Sequence, residues 1–337
     1  MIEILHGTNI HFMKYRKWAY LFSGLVLLVG FASLAMKGGP KAGIDFAGGQ
    51  LLSLRFNQVV RADDLRHAAD TAGLVGAEIQ SLEGSNDALF RVAQHEGEVS
   101  ATEKGPAVRI QEALQQQYPG ITVEILRQEV VGPKVGHELR GKATLAVIFS
   151  VIAIMIYVAL RFKRWEFGLG AAIALFHDIL VTLGIFSILN KEIGLTVLAA
   201  FLTIAGYSIN DTIVVFDRVR ENVALKKKGN LPELMNLSIN QTLSRTILTV
   251  FTVMLTAAAI YFLGGEVLHD FALAMLVGVG FGTYSSIYVA SALALDLDNW
   301  RQKRVQARAA QRAAAKPAQR SGSAKTAASS KSTVAAR

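Results

Sequence analysis

Ionisable residues interrupt three long apolar stretches of the sequence, where a charge is costly and therefore indicates a function. His177 and Asp178 are adjacent in the first stretch, Asn210 and Asp211 are adjacent in the second, and Arg245 lies in the third. At the rise of a helix, Asp211 and Arg245 each lie about 27 Å from the same end of consecutive antiparallel helices. We therefore expect these two residues to lie at a similar depth and to face each other.

A buried aspartate beside an arginine has the properties of a proton carrier. Burial raises the pKa of a carboxyl group and a nearby guanidinium lowers it, so helix movement that separates the two groups changes the affinity for a proton. The guanidinium itself stays charged. We therefore assign Asp211 and Arg245 to a proton relay. A second set of candidates for an additional relay or polar path contains His177, Asp178, Ser208, Asn210 and Thr212.

Each of these charges also has a structural interpretation. Arg245 can extend its guanidinium to the membrane surface, and Asp178 can be a hydrogen-bonding group held by His177 or by a neighbouring helix. Asp211 is harder to explain in this way, because apolar helix lies on both sides of it. The chain has no cysteine, which excludes thiolate metal sites and cysteine nucleophiles. We expect no metal and no cofactor, with protons as the coupling ion.

The composition indicates an integral membrane protein. Hydrophobic residues make up 52% of the 337 residues and charged residues 18%, and the mean hydropathy of +0.35 is too high for an ordinary soluble chain. Six apolar runs are long enough to cross a bilayer, which takes roughly 20 helical residues. We place these six runs at 18–36, 142–160, 167–189, 193–216, 240–263 and 268–296. The first run is longer than the apolar region of a typical secretory signal peptide, so we expect an uncleaved membrane anchor.

The distribution of Lys and Arg predicts the orientation. Both residue types are concentrated in the N-terminal segment 1–17, around 161–164, in the loop 217–239 and in the tail 301–337, whereas the opposite short connections hold one lysine between them. By the positive-inside rule both termini are cytoplasmic. The long segment 37–141 is then periplasmic.

The segment 37–141 has the patterning of a small water-soluble domain. Strand patterns at 50–56, 77–82, 88–93 and 121–131 alternate with helical patterns at 60–72 and 106–117. The resulting order β-α-β-β-α-β is that of a ferredoxin-like α+β fold. The predicted fold class is thus a polytopic α-helical membrane protein of six helices, with a ferredoxin-like domain between the first two. This fold does not by itself define a function.

The formal net charge of +9 comes from the C-terminal tail. Residues 301–337 contain ten Lys or Arg and no acidic residue, so the other 300 residues carry 25 positive and 26 negative charges. This distribution argues against specific nucleic-acid binding. The last helix can continue through 302–315, and beyond Lys316-Pro317 we expect disorder. We expect the tail to contact anionic lipid.

Glycines in the predicted helices indicate close helix packing. Gly278 and Gly282 lie four residues apart in the sixth helix, and Gly168 lies on a small-residue face of the third. Small residues at this spacing let two membrane helices approach closely.

Several motifs, taken together, resemble the SecD/SecF family of bacterial protein-export membrane proteins, within the RND superfamily and on its SecF side. The resemblance covers most of residues 10–300. Its motifs are Gly-Ile-Asp-Phe-Ala-Gly-Gly at 43–49, Val-Gly-Pro-Lys-Val-Gly-His-Glu-Leu at 131–139, Gly-Tyr-Ser-Ile-Asn-Asp-Thr at 206–212, Asn-Gln-Thr-Leu-Ser-Arg-Thr at 240–246 and Gly-Thr-Tyr-Ser-Ser at 282–286.

The resemblance implies a function and partners. Members of the family pair with SecD in the bacterial inner membrane and use the proton-motive force to assist preproteins leaving the SecYEG channel on the periplasmic side; YajC is a further implied partner. The proton-path aspartate and arginine of the family fall on Asp211 and Arg245. The implied role is that of a transport accessory and not of an enzyme.

Three other classes remain open from the residues alone. One is a proton-driven exporter of small molecules, although about 100 residues outside the membrane are few for it. A second is a non-conducting scaffold of the translocon. A third is an intramembrane aspartyl protease using Asp178 and Asp211, but neither aspartate has the Gly-x-Gly-Asp context of such enzymes.

Overall fold

The computed structural model describes residues 8–74, 77–81, 86–92, 106–162, 164–225 and 229–332. Within them it has six helices that are long and apolar enough to cross a membrane, and a small sheet domain is inserted after the first. The predicted fold class is therefore confirmed. The sequence Gly-Ser-Asn-Asp at 84–87 predicts a turn between two strands, and residues 84 and 85 of it lie outside the described residues.

Ten helices are numbered in chain order. The four that precede the second membrane helix are α1 (Arg16–Met36), α2 (Ile44–Ala47), α3 (Ala62–Thr71) and α4 (Pro106–Gln117). The next four are α5 (Pro133–Arg161), α6 (Trp165–Ile188), α7 (Leu195–Ala224) and α8 (Leu231–Leu263). The last two, α9 (Gly265–Ser285) and α10 (Ser291–Ser332), are joined without a break by one π turn, Ser286–Ala290.

Three predicted boundaries differ from the structure. The predicted loop 217–239 is mostly helical, because α7 continues to Ala224 and α8 begins at Leu231. A capping box of Asn230 and Glu233 starts α8, since the two side chains satisfy free N–H groups of its first turn. The predicted domain 37–141 ends earlier, because α5 begins at Pro133, a residue suited to the first turn of a helix.

The tail is the third difference, since α10 is helical to Ser332 and not disordered beyond Lys316-Pro317. Its Ala, Arg, Lys and Gln residues have high helix propensity. Because α10 continues from a packed helix, it does not need a new helix nucleus. Residues 333–337 of the predicted tail lie outside the described residues.

The inserted domain has the predicted β-α-β-β-α-β order. Its strands are β1 (Gly49–Phe56), β2 (Glu78–Ser81), β3 (Asp87–Val92) and β4 (Val123–Val131). They form one antiparallel sheet in the order β2-β3-β1-β4. Leu52, Leu54 and Phe90 on one face pack against Leu65 of α3 and Ile110 of α4. The domain therefore has its own apolar core.

Two glycine-containing motifs join this domain to the membrane helices. Gly48 has a φ of +74°, and a Cβ there would lie 2.8 Å from Cα of Pro133 at the start of α5. On the other side, the segment after α1 pairs with the α6–α7 connection through Gly43 N–H to Ile193 O at 2.9 Å. The entrance and exit of the domain are thus held against two different membrane helices.

An ion cluster also ties the sheet to the α6–α7 connection. Lys41 Nζ lies 2.6 Å from Glu78 Oε2 and 3.2 Å from Glu192 Oε1. Arg91 of β3 pairs with the same two carboxylates. Beside the cluster, a cleft of about 400 Å³ separates the open face of the sheet from the ends of α7 and α8.

In the membrane part, α6, α7 and the α9–α10 helix are the most buried, and α1, α5 and α8 lie outside them. At the end far from the sheet domain, ion pairs join the helices. Arg161 pairs with Asp217, and Arg164 with Asp298. Arg301 Nε lies 2.5 Å from Oε1 of the fully buried Glu166. These pairs join α5 to α7 and α6 to α10 at this end of the bundle.

Candidate functional site

Asp211 lies on α7 with 4% of its surface exposed. The groups that act on its carboxyl are the Thr246 hydroxyl and the charge of Arg245, both on α8. Neither Asp211 Oδ2 nor Thr246 Oγ1 has a hydrogen-bond partner among the described residues. Buried polar atoms are nearly always paired, so this carboxyl has unused capacity to bind a proton or a water molecule.

Arg245 is close to Asp211 but does not face it as predicted. Its side chain is exposed, and no ion pair within 4.0 Å joins the two residues. The reason is helical geometry: successive residues point about 100° apart. Because Thr246 faces Asp211, Arg245 is turned towards the outer surface of α8.

A polar surface results on the outside of α7 and α8. Asn210, the neighbour of Asp211, is exposed, as are Thr203 on α7 and Gln241 on α8. Among the second set of candidates, Asn210 is therefore separated from the buried cluster. Like Arg245, it is exposed.

Two members of that set, His177 and Ser208, contact Asp178, which has no exposed surface. Ser208 Oγ of α7 donates to Asp178 Oδ2 at 2.5 Å, and Ser285 Oγ of α9 donates to the same oxygen at 2.7 Å. His177 Nδ1 lies 3.0 Å from Asp178 Oδ1, while His177 Nε2 has no partner among the described residues. Asp178 thus joins three helices by hydrogen bonds.

Thr212 connects α7 to the π turn. Its hydroxyl lies 2.8 Å from Ser286 Oγ, so the residue after Asp211 contacts the residue after Ser285. The sequence analysis placed Ser285 and Ser286 in the family motif at 282–286 but gave neither residue a role in the polar path. Polar residues within the apolar helices were the sequence signal for these contacts, but only the tertiary structure shows that Ser285 pairs with Asp178 and Ser286 with Thr212.

Two of the three predicted packing glycines lie at close helix contacts. A Cβ at Gly278 would overlap the Ile204 side chain, and one at Gly282 would lie 3.3 Å from Ser208 Cβ. Gly168 has only an ordinary contact, whereas a Cβ at Gly170 would lie 2.8 Å from the Ala290 carbonyl oxygen. The small-residue face of α6 was identified, but the wrong glycine of that face was chosen.

The sequence prediction also missed a glycine contact between α1 and α6. A Cβ at Gly30 would lie 2.9 Å from Cα of Gly184, so the two backbones touch. Within the described residues, no group of His, Asp and Glu is arranged to hold a metal ion. The predicted coupling ion stays a prediction.

Comparison with known proteins identifies the family. The model for the C-terminal part of the protein export membrane proteins SecD and SecF matches residues 110–300. The chain is 43% identical to protein translocase subunit SecF of Thermodesulfovibrio yellowstonii, over 88% of this chain and 97% of that protein. It is 37% identical to the SecF subunit of Escherichia coli O157:H7, over 94% and 96% of the two chains.

A solved structure shows the same fold. The crystal structure of SecDF from Thermus thermophilus, described as a translocon-associated membrane protein, aligns with a TM-score of 0.76 at 37% identity. The alignment covers 87% of this chain but 39% of the SecDF chain. With six helices among the described residues that can cross a membrane, a ferredoxin-like insertion and these matches, the chain is a multi-pass membrane protein that belongs to the SecD/SecF family of protein-export membrane proteins.

Proposed function

We propose that this protein is a proton-driven accessory subunit of the Sec pathway, which assists preproteins leaving the SecYEG channel on the periplasmic side. One observation carries the proposal: Asp211 is buried in the middle of a membrane helix, and its Oδ2 has no partner among the described residues. The similarity of the chain to SecF subunits supports a role in the Sec pathway.

Asp211 binds and releases the proton in this proposal. A charged carboxylate is costly in a low-dielectric interior unless a cation or hydrogen-bond donors compensate it. Thr246 and Arg245 on α8 are the groups that can do so. Movement of α8 relative to α7 therefore changes the cost of the charged form, which couples proton exchange to helix movement.

The exposure of the Arg245 side chain supports a contact between this surface of α8 and a second membrane protein. A guanidinium at this depth is not stable against lipid tails. Gln241, one helical turn before Arg245, and Asn210 on α7 are further exposed polar groups. A second membrane protein that presents an acidic residue to Arg245 would satisfy it. A SecD subunit is the proposed partner, consistent with a SecDF chain more than twice as long as the part that this chain matches.

The proposed location is the bacterial inner membrane, with both termini in the cytoplasm and the sheet domain in the periplasm. The positive charges of the connections between helices support this orientation. The basic tail then lies on the cytoplasmic side, where its first turns can contact anionic lipid. YajC stays a predicted partner from the family resemblance.

Proton flux into vesicles tests the proposal. The complex with a SecD subunit is reconstituted, a pH gradient is imposed, and flux is followed with a pH-sensitive dye. Asp211→Asn should reduce flux to the level of empty vesicles and abolish the proton-dependent part of export. Arg245→Lys should also reduce both, because a compact ammonium cannot replace the planar guanidinium.

Asp217→Asn is the matched control. Asp217 lies on the same helix but pairs with Arg161 near its end, so its neutralisation should leave flux within about twofold of the wild type. Normal flux and export in Asp211→Asn would overturn the proposed relay. Full activity of Arg245→Lys would indicate that Arg245 only reaches the membrane surface.

A further inference from the structure

Asp178 is a second buried carboxyl that the proposed relay does not use. It lies in α6 with no exposed surface, and its Oδ2 accepts from Ser208 of α7 and Ser285 of α9 at 2.5 and 2.7 Å. The titratable groups near it are His177 on its own helix and Tyr284 on α9, whose ring lies 6.3 Å from that of His177. On α7, Asp211 lies three residues beyond Ser208.

In the part of the chain that the structure describes, no lysine or arginine pairs with Asp178. Among the described residues, the one ion pair of Asp178 within 4.0 Å is with the adjacent His177. Hydroxyl donors alone hold a buried carboxylate weakly compared with a guanidinium. The carboxyl can therefore exchange between a charged and a protonated form without breaking a strong ion pair.

Ser285 has two alternative acceptors. Its Oγ lies 2.7 Å from Asp178 Oδ2 and 3.0 Å from the Gly282 carbonyl oxygen of its own helix. Because a hydroxyl has a single proton, Ser285 donates fully to one acceptor at a time. A charged Asp178 accepts a hydrogen bond from the Ser285 hydroxyl. A protonated Asp178 can instead donate to Ser285 Oγ, and the Ser285 hydroxyl then donates to the Gly282 carbonyl oxygen.

The helix that carries Ser285 changes geometry at the next residue. The π turn Ser286–Ala290 begins there, and Ser291 Oγ donates to the Ser286 carbonyl oxygen at 2.9 Å. Such turns are a local irregularity at which a helix can shift, and they are frequent at functional sites. Ser286 also contacts Thr212, the residue after Asp211.

We propose that Asp178 is a second proton-holding residue, which acts as a positioning residue: protonation lets it donate one hydrogen bond to Ser285 where the charged form accepts one, and this lets the α9–α10 helix shift at the π turn against the helix of Asp211. One proton is taken up and forms one O–H bond on the carboxylate, and no bond between heavy atoms changes. The inference rests on the proposed function, because it gives the proton relay its mechanical output.

The absence of cysteine in this chain allows a direct test. Cysteines are introduced at Val223 near the end of α7 and at Lys303 of α10, both exposed, and carry spin labels in the complex with a cysteine-free SecD subunit. We expect two distances whose population ratio changes with pH, by up to about tenfold per pH unit because one proton is bound. A ratio that is constant across pH overturns the proposal.

Variants assign the change to Asp178. Asp178→Asn and Ser285→Ala should each remove the change of the distance ratio with pH. If Asp178→Asn does not assemble with the SecD subunit, the result for Ser285→Ala is the test of the proposal. Ser33→Ala removes a hydroxyl pair with Ser187 elsewhere in the bundle and should respond like the wild type. An unchanged response in Ser285→Ala overturns the proposal. Asp211→Asn should keep the response while losing proton flux, which separates this inference from the proposed function.

Discussion

Asp45 Oδ2 accepts a hydrogen bond from the backbone N–H of Leu195 at 2.8 Å. Leu195 is the first residue of α7, so a residue at the entrance of the sheet domain caps the helix that carries Asp211. A carboxylate at a helix N-terminus is favourable because it satisfies a free N–H group and the helix dipole. This contact gives a direct connection between the domain and the candidate site.

Removal of this cap should weaken the attachment of the domain. We expect Asp45→Ala to destabilise the protein by about 1 kcal/mol, and Asp45→Asn by less because an acceptor oxygen remains. Thermal unfolding of the purified protein measures the difference. Asp70→Ala, at an exposed position of α3, is the control. Equal unfolding midpoints for Asp45→Ala and Asp70→Ala would contradict the capping role.

The ion cluster around Glu78 should make this attachment depend on pH. A hydrogen bond from Lys41 and the charge of Arg91 hold the pKa of Glu78 below its ordinary value of 4.5. A depressed pKa stabilises the folded state above the ordinary value, and this contribution is lost as pH falls through the lower, folded value. The protection of β2 against hydrogen exchange, corrected for the intrinsic effect of pH on exchange rates, should therefore fall at acidic pH.

Glu78→Gln tests the origin of that pH dependence. The variant should exchange faster than the wild type at neutral pH and lose the part of the acid dependence that Glu78 contributes. Because the Glu78 side chain is 60% exposed, the effect should also weaken with added salt. An acid dependence identical to that of the wild type would show that other groups cause it.

The contact between α7 and α9 should not tolerate a methyl group. Gly278→Ala forces the new Cβ into the Ile204 side chain, whereas Gly280→Ala meets no atom within 4 Å. Overpacking of a core typically costs about 1–3 kcal/mol, so Gly278→Ala should lower the unfolding midpoint and Gly280→Ala should not. Similar midpoints for the two variants would disprove close packing at Gly278.

Arg301 should stabilise the end of the bundle far from the sheet domain. Arg301→Gln leaves the fully buried Glu166 with Arg164 alone, at 3.8 Å. Removing one partner of a buried pair costs roughly 3–5 kcal/mol, but Arg301 is 42% exposed, so we expect about 1–3 kcal/mol. Thermal unfolding provides the measurement.

A second substitution distinguishes loss of charge pairing from loss of packing. Adding Glu166→Gln to Arg301→Gln should restore part of the stability, because the unpaired buried charge is removed. Lys303→Gln, on the exposed side of the same helix, should leave the midpoint unchanged. No recovery in the double variant would mean that Arg301 contributes through contacts of its aliphatic part.

The elements were predictable where one local pattern dominates. The predicted helix 106–117 coincides with α4, and the alternation at 50–56 gives β1 to within one residue. The loop 217–239 was predicted wrongly because its polar residues mark the end of an apolar run and not the end of a helix. Leu231 starts α8 through a capping box, so the helix extends beyond its apolar part.

The sequence by itself determined the membrane class, the inserted fold and the residues that carry a charge into apolar helices, because burial cost and periodicity are local properties. Only the tertiary structure decided which of those residues meet. Asp211 faces Thr246 and not Arg245, because adjacent helix positions point in different directions. Asp178 is hydrogen-bonded to Ser285, 107 residues away, because three helices bring their polar residues together at one depth. A pattern of neighbouring residues in the sequence cannot predict a contact between residues so far apart.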